Sequence, residues 1–374
     1  MARKNRRDIV NESEVGTYLL SSRTVRRAFL AGHDPITGDD RSYRKRVIEK
    51  RLEDLASVFA VEVLEYSTAD NHSYVIVRNR PDLVATWTDR DVARRWLRVN
   101  RSKLKLEPEP SPDRIERFLL DTKKLVRARK ALSSISEFMG CLKQPVAREA
   151  NIRDHAQDNF WAGRFESQRL EDDVALTACS AYVNMNLVRA ERARGIEDSH
   201  GSSANARWQD EAERSGAMSA EGQDPPRDDG EVRDTKRNSN EPLRSGWLAP
   251  VAVAGDGYDG ASAGRRASNE GYLHMTLQQQ REVMDLLLQF EGLVKVRQDE
   301  QLQPDLPAVM QRIGVNAEQW TDTVRALRTR FNRELKVMAE MLAEARQRGA
   351  SLPADEPRAN GLSVRARRTR SPET

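Results

Sequence analysis

Apolar positions along the first 195 residues recur with two periods, and the switches between them mark the elements. Gly16-Thr-Tyr-Leu-Leu-Ser-Ser-Arg has the make-up of a strand and runs into a basic turn from Arg23 to Arg27. Val47, Leu52, Leu55 and Val58 then fall at helical spacing and predict a helix over Tyr43 to Phe59. Val61-Glu-Val-Leu-Glu-Tyr-Ser and Ser73-Tyr-Val-Ile-Val-Arg are two β-rich runs around a polar turn at Ala69-Asp-Asn, the pattern of a hairpin. Thr88 stands as an N-cap before Asp89 and Asp91 and opens a helix to Val99. Further helices are expected over Ile135 to Asn151 and Glu171 to Ala193, with a strand at Arg164-Phe-Glu-Ser-Gln-Arg-Leu between them. The order β-α-β-β-α-α-β-α, with the extra helix as an insertion, predicts an α+β domain over residues 10–195 built on a ferredoxin-like, split βαβ sheet.

Beyond that domain the periodicity fades. Residues 196–270 are dominated by Ser, Gly, Asp, Glu, Asn and Arg, as in Asp224-Pro-Pro-Arg-Asp-Asp-Gly. Such a stretch buries too little apolar surface to offset its chain entropy, so a disordered linker is expected. Its apolar island, Trp247-Leu-Ala-Pro-Val-Ala-Val, is either a docking strip or a local cluster within a loop. Residues 271–348 read as a helical C-terminal region: Val283, Leu286, Leu287 and Phe290 share a face, and Trp320 to Leu342 repeat at spacings of three and four. The Arg- and Pro-rich residues 349–374 complete the chain as a disordered basic tail.

Composition sharpens this picture. Apolar residues are 38% and charged residues 32% of 374, which is polar for a chain packed throughout. Two cysteines, Cys141 and Cys179, exclude a disulfide scaffold and a Cys-rich zinc module, and fit a reducing cytoplasm. No apolar run reaches the ~20 residues of a membrane span, and the basic start, Met1 to Arg7, precedes no apolar core. A soluble cytoplasmic protein is expected, without a membrane partner. A net charge of +4 permits a nucleic-acid partner without requiring one.

Two places carry candidate chemistry. His72 and Tyr74 lie two apart on one strand and point the same way, with Ser73 opposed. Tyr182 and Asn186 lie four apart on a helix and share a face. Taken singly, each pair is also what an ordinary strand edge or an ordinary amphipathic helix presents.

Taken together, four segments resemble one family. Val15-Gly-Thr-Tyr-Leu-Leu-Ser-Ser-Arg, Asn71-His-Ser-Tyr-Val-Ile-Val, Phe160-Trp-Ala-Gly-Arg-Phe-Glu-Ser-Gln and Tyr182-Val-Asn-Met-Asn-Leu-Val-Arg-Ala are similar, in order, to the motifs of the REP-associated tyrosine transposases. These are single-tyrosine HUH endonucleases of the insertion-sequence-200 type. The resemblance covers about residues 10 to 195. It implies an HUH-type domain in which two imidazoles and an Asn or Gln amide hold Mg²⁺ or Mn²⁺, and a helix-borne tyrosine attacks a phosphodiester to leave a 5′-phosphotyrosine. Position by position, it makes His72 a metal ligand, Asn186 another and Tyr182 the nucleophile. Tyr74 stands where the family has its second histidine, and Leu187 replaces the usual proline after Asn186 without breaking the helix. A neutral phenol is a poor ligand for a hard divalent cation. Impaired cleavage and a weakly held metal are therefore expected, unless waters, Tyr74 or a carboxylate such as Glu65 or Asp70 complete the site.

The same resemblance implies DNA, single-stranded or hairpin, as partner, together with a homodimer and a nucleoid location. Arg90 to Lys130 hold 14 basic against 6 acidic residues, and on the helix from Thr88 the arginines Arg94, Arg95 and Arg98 alternate with Val92, Trp96 and Val99. Arg23, Arg26 and Arg27 extend this expected DNA surface, and Arg164 joins it from the third motif. The alternative function is a non-catalytic DNA-binding relic or a domesticated regulator.

Overall fold

Three of the expected strands form where the alternation places them, and hydrogen bonding lengthens two. In the computed structural model, which describes residues 9–34, 37–215, 243–253 and 264–290, β1 (Gly16–Arg23) pairs with β3 (His72–Asn79), and β3 pairs with β2 (Val61–Thr68). The fourth strand, β4 (Glu166–Leu170), flanks β1 on its other side. The sheet order is β2-β3-β1-β4 with every neighbouring pair antiparallel. β1 and β2 therefore run the same way with β3 between them, and β3 and β4 run the same way with β1 between them, which is the split arrangement.

The helices follow local signals. α1 (Tyr43–Ala56) crosses from β1 to β2. Pro81 starts α2 (Pro81–Thr86), and Thr88 with Asp91 forms a capping box on α3 (Asp89–Arg98). Two helices that the periodicity did not single out follow, α4 (Pro112–Leu119) and α5 (Thr122–Leu132), then α6 (Ile135–Arg153). After β4 the chain forms α7 (Asp173–Asn184), capped by Asp172, and the one-turn α8 (Asn186–Arg189). The expected continuous helix is thus interrupted at Met185, even though Leu187 takes the place of a proline.

Strand alternation divides two cores. Tyr18, Leu20, Val75 and Val77 pack with Val63, Leu52, Leu55 and Phe138 of the α1–α6 side. Leu19, Tyr74 and Ile76 pack on the other face against Leu176, Cys179 and Val183 of α7. A register shift between Val63 and Glu65 adds a residue to β2 and sets Glu65 opposite Ile76 on the α7 face.

The linker expected over 196–270 is in part folded. Ser203–Ser215 is helix α9, whose Trp208 and Asp210 are buried, and Leu277–Phe290 is α10, whose Val283, Met284 and Leu288 join the α7-side core. The apolar island is a docking strip. Trp247 lies against Tyr66 with ring centroids 5.4 Å apart, and the Ala249 amide donates to the Val63 carbonyl at 2.9 Å. The Thr68 amide donates to Gly201 O, also at 2.9 Å. β2 is an edge strand whose unpaired backbone groups need partners, and this polar chain supplies them. Composition alone averages over that opportunity. Residues 216–242 and 254–263, the part of the helical region expected over 271–348 that follows Phe290, and the tail lie outside the described residues.

Candidate functional site

β3 begins at His72, and the paired position on β1 is Arg23. Between β1 and α1, Val25–Arg27 forms a single 3₁₀ turn in which Arg26 (φ 51°) and Arg27 (φ 54°) adopt left-handed backbone. That conformation costs about 1–2 kcal/mol per non-glycine residue, so it needs bracing. Thr24 N donates to Asn71 O at 3.0 Å, Val25 N donates to Phe160 O at 2.9 Å, and Asn71 Nδ2 donates to Arg27 O at 3.2 Å. The Ala162 amide adds a bond to Arg23 O at 2.9 Å. The first three sequence motifs thus meet at one end of the sheet.

The fourth arrives from α7 and α8. His72 Nε2 lies 3.0 Å from Asn186 Oδ1, and His72 Nδ1 lies 2.7 Å from Asn71 Oδ1. Asn186 Nδ2 donates onward to Ser67 Oγ at 3.3 Å. The Tyr74 ring meets the His72 ring at 5.0 Å and the Tyr182 ring at 5.9 Å between centroids, both edge-on. Arg189, three residues after Asn186 and seven after Tyr182, lays its guanidinium over the Tyr182 ring at 4.6 Å. Arg189 is not among the sequence-derived residues, although its spacing puts it on the face shared by Tyr182 and Asn186. Of the sequence-derived residues, His72, Tyr74, Tyr182 and Asn186 converge here, with Arg23 and Arg27 beside them.

Electrostatics in this pocket favour neutral side chains and anions. Burial pushes the His72 imidazole down to about 4, and the charges of Arg23 and Arg27 add to the effect, against the Asn186 bond and Asp70. The ring is neutral at pH 7 and donates through one nitrogen, so it gives a hydrogen bond to one of the two amide oxygens. Burial, first, and contact with Tyr74 hold the Tyr182 phenol well above its usual range. Burial and Arg23 lower the Arg27 guanidinium from its own ordinary value.

The donor set does not fit a divalent cation. His72 and Asn186 bond to each other, and Tyr74 contributes a phenol. Neither proposed replacement carboxylate is at liberty. Asp70 is bound by Lys45 Nζ at 2.7 Å and by Arg192 Nε at 2.6 Å. Glu65 is fully buried and accepts from Arg207 Nη1 at 2.8 Å, Gln280 Nε2 at 2.7 Å and Ser180 Oγ at 3.0 Å, as well as from Ser203 and Tyr272. Burial alone would raise its pKa, but Arg207 and the hydroxyl donors more than reverse this, so it is an anion held in place. Among the described residues, no three His, Cys, Asp or Glu side chains converge to hold a metal. Arg23 and Arg27, whose charges already act against a positive His72, also disfavour a metal cation there.

The expected DNA-binding arginines do not form one surface. β3 runs from His72 to Asn79, seven steps of roughly 3.3 Å, so its ends are about 23 Å apart. Arg23, Arg26 and Arg27 lie at the His72 end, and Arg164 is exposed two residues before β4 there. α3 lies toward the Asn79 end. Arg95 donates there to Ser57 O at 3.0 Å and stacks on Trp87 at 4.2 Å, so it holds α3 in place. Arg94 pairs with Glu109, and Arg98 approaches the same carboxylate at 3.8 Å. Basic counts along a sequence omit acidic partners that folding brings near, and here those partners neutralise much of α3.

No protein-family model matches the chain, and no curated protein does. A solved structure described as "Structure of the REP associates tyrosine transposase bound to a REP hairpin" is similar to it at 12% identity and a TM-score of 0.32, over 63% of this chain and 99% of that one. That likeness is too distant to bear on this chain's chemistry or partners. Among the described residues, no helix is long and apolar enough to cross a membrane.

Proposed function

We propose that this chain is a transposase-like DNA-binding protein whose HUH-type, ferredoxin-like domain takes a phosphodiester of single-stranded or hairpin DNA at the Tyr182 pocket. One observation carries the reading: His72 and Asn186, separated by 114 residues of sequence, meet at 3.0 Å beside Tyr182. The four ordered motifs of the sequence motivate the same pocket. Arg23 and Arg27 supply positive charge for a phosphate, and Arg26 and Arg164 widen the basic rim.

Attack by Tyr182 would form its Oη–P bond as the P–O3′ bond breaks, leaving a 5′-phosphotyrosine and a 3′-hydroxyl. The geometry disfavours that step as it stands. Tyr182 is 9% exposed, its phenol holds its proton, and no second imidazole is present. The committed state of Asp70 and Glu65 supports the second reading, a DNA-binding relic or regulator that no longer cleaves efficiently. A hairpin-flanked single strand incubated with Mn²⁺, or with chelator, distinguishes them. Binding without a covalent adduct is expected of the regulator, and a Tyr182-dependent adduct of the active enzyme. Absence of DNA binding at low salt would reject both.

A further inference from the structure

A cleft of about 630 Å³ opens among α3, α4, α5 and the start of α6, within the ~300–1,000 Å³ range of ligand sites. Trp96 and Phe118 line it and are half-buried, so each offers part of a ring to solvent. Arg101, Lys124, Arg127 and Lys130 surround the rings and are exposed. On α5 the last three recur every third residue, which sets them on one side of the helix over about 9 Å. At ~3.4 Å per stacked nucleotide that row faces two to three phosphates. Among the described residues neither Arg127 nor Lys130 makes an ion pair, whereas Lys124 pairs with Asp121 at 3.0 Å and Arg101 with Glu137. Glu12 is the other acid at the rim, where it accepts from Ser134 Oγ at 2.6 Å.

We propose that this cleft is a second nucleic-acid site, taking two or three nucleotides of a single strand with bases on Trp96 and Phe118 and phosphates along α5. Rings and cations interleaved in one groove suit an unpaired strand, since stacking needs exposed base faces and the cations need a backbone. An acidic peptide would leave the rings without a partner, and a duplex would hide its bases. The cleft lies toward the end of the sheet away from Tyr182, and the proposal stands independently of the reading of that pocket.

The test uses the full chain and a fluorescein-labelled dT₁₂. Lys124→Glu, Arg127→Glu and Lys130→Glu together should weaken binding at least tenfold and reduce the salt slope by about 2, at ~0.7 per phosphate contact. A 5-iodouracil strand should crosslink to peptides containing Trp96 or Phe118 in the wild type and lose those crosslinks in the charge-swapped protein. Arg23→Ala with Arg27→Ala, at the other end of the sheet, should leave these crosslinks in place whether or not the Tyr182 pocket binds DNA. Because the swapped residues are exposed, the urea midpoint should hold; if it falls, Arg127→Gln with Lys130→Gln replaces the triple variant. Unchanged affinity, crosslinks absent from both peptides, or equal competition by duplex or by a poly-glutamate peptide would overturn the proposal.

Discussion

His72 Nε2 and Asn186 Oδ1 stand 3.0 Å apart, one at the first residue of β3 and the other at the first residue of α8. This contact fixes the imidazole between two amides and by itself favours the charged ring, but burial first, and then the charges of Arg23 and Arg27, outweigh it and make protonation costly. With a folded pKa of about 4 and an unfolded value near 6.5, the unfolded chain binds more protons between those limits. Stability therefore falls as pH drops from about 6.5 to 4, by on the order of 3 kcal/mol at most, and this contribution levels off below pH 4. Urea unfolding at pH 7.5 and 4.5 should show that loss, and His72→Gln should reduce it. An imidazole midpoint near 6.5 by NMR would contradict the burial argument.

Tyr74→His should restore two imidazoles on one face of β3. If that substitution is what disables the site, Mn²⁺ affinity measured calorimetrically should rise at least tenfold. A metal-dependent covalent DNA adduct should accompany it and vanish on adding Tyr182→Phe. A Tyr74→His protein that binds DNA yet stays inert with Mn²⁺ would show that more than one ligand has been lost.

Glu65 should prove structural. Glu65→Gln leaves the buried Arg207 guanidinium without its counter-charge, and breaking such a pair costs about 3–5 kcal/mol. Chemical denaturation should report that loss. Hydrogen exchange should quicken at Tyr272 and Gln280, which touch the same carboxylate.

Asp210 accepts from the amides of Arg244 and Ser245 at 2.9 and 2.7 Å, and from Ser245 Oγ at 2.6 Å. Asp210→Ala should cost about 1–3 kcal/mol by stranding these donors and should release the strip around Trp247 to proteolysis. In the intact protein the amides of α9 should exchange slowly, against the behaviour expected of a linker.

The two groups of arginines should separate in DNA titrations. Arg23→Ala with Arg27→Ala should lower affinity for a hairpin-flanked strand and flatten its salt dependence. Arg95→Ala should instead lower the melting temperature, because its partners are Trp87 and backbone carbonyls, with little change in the salt slope. The opposite assignment would move the DNA surface to α3.

Sequence by itself determined the local elements and which side chains each could aim together. Period-two alternation placed β1 and β2, Thr88 and Asp91 capped α3, and spacings of two and four paired His72 with Tyr74 and Tyr182 with Asn186. Those features depend on backbone geometry within a few residues, so they are written locally. Tertiary structure decided what depends on distant partners. It brought Asn186 to His72 through the meeting of α8 with the end of β3. It took Glu65 and Asp70 out of reach by pairing them with Arg207, Lys45 and Arg192, and it set Arg95 against Trp87. It also ordered part of a polar segment against the open edge of β2, because unpaired backbone groups on a sheet edge attract chain that composition alone would leave in water.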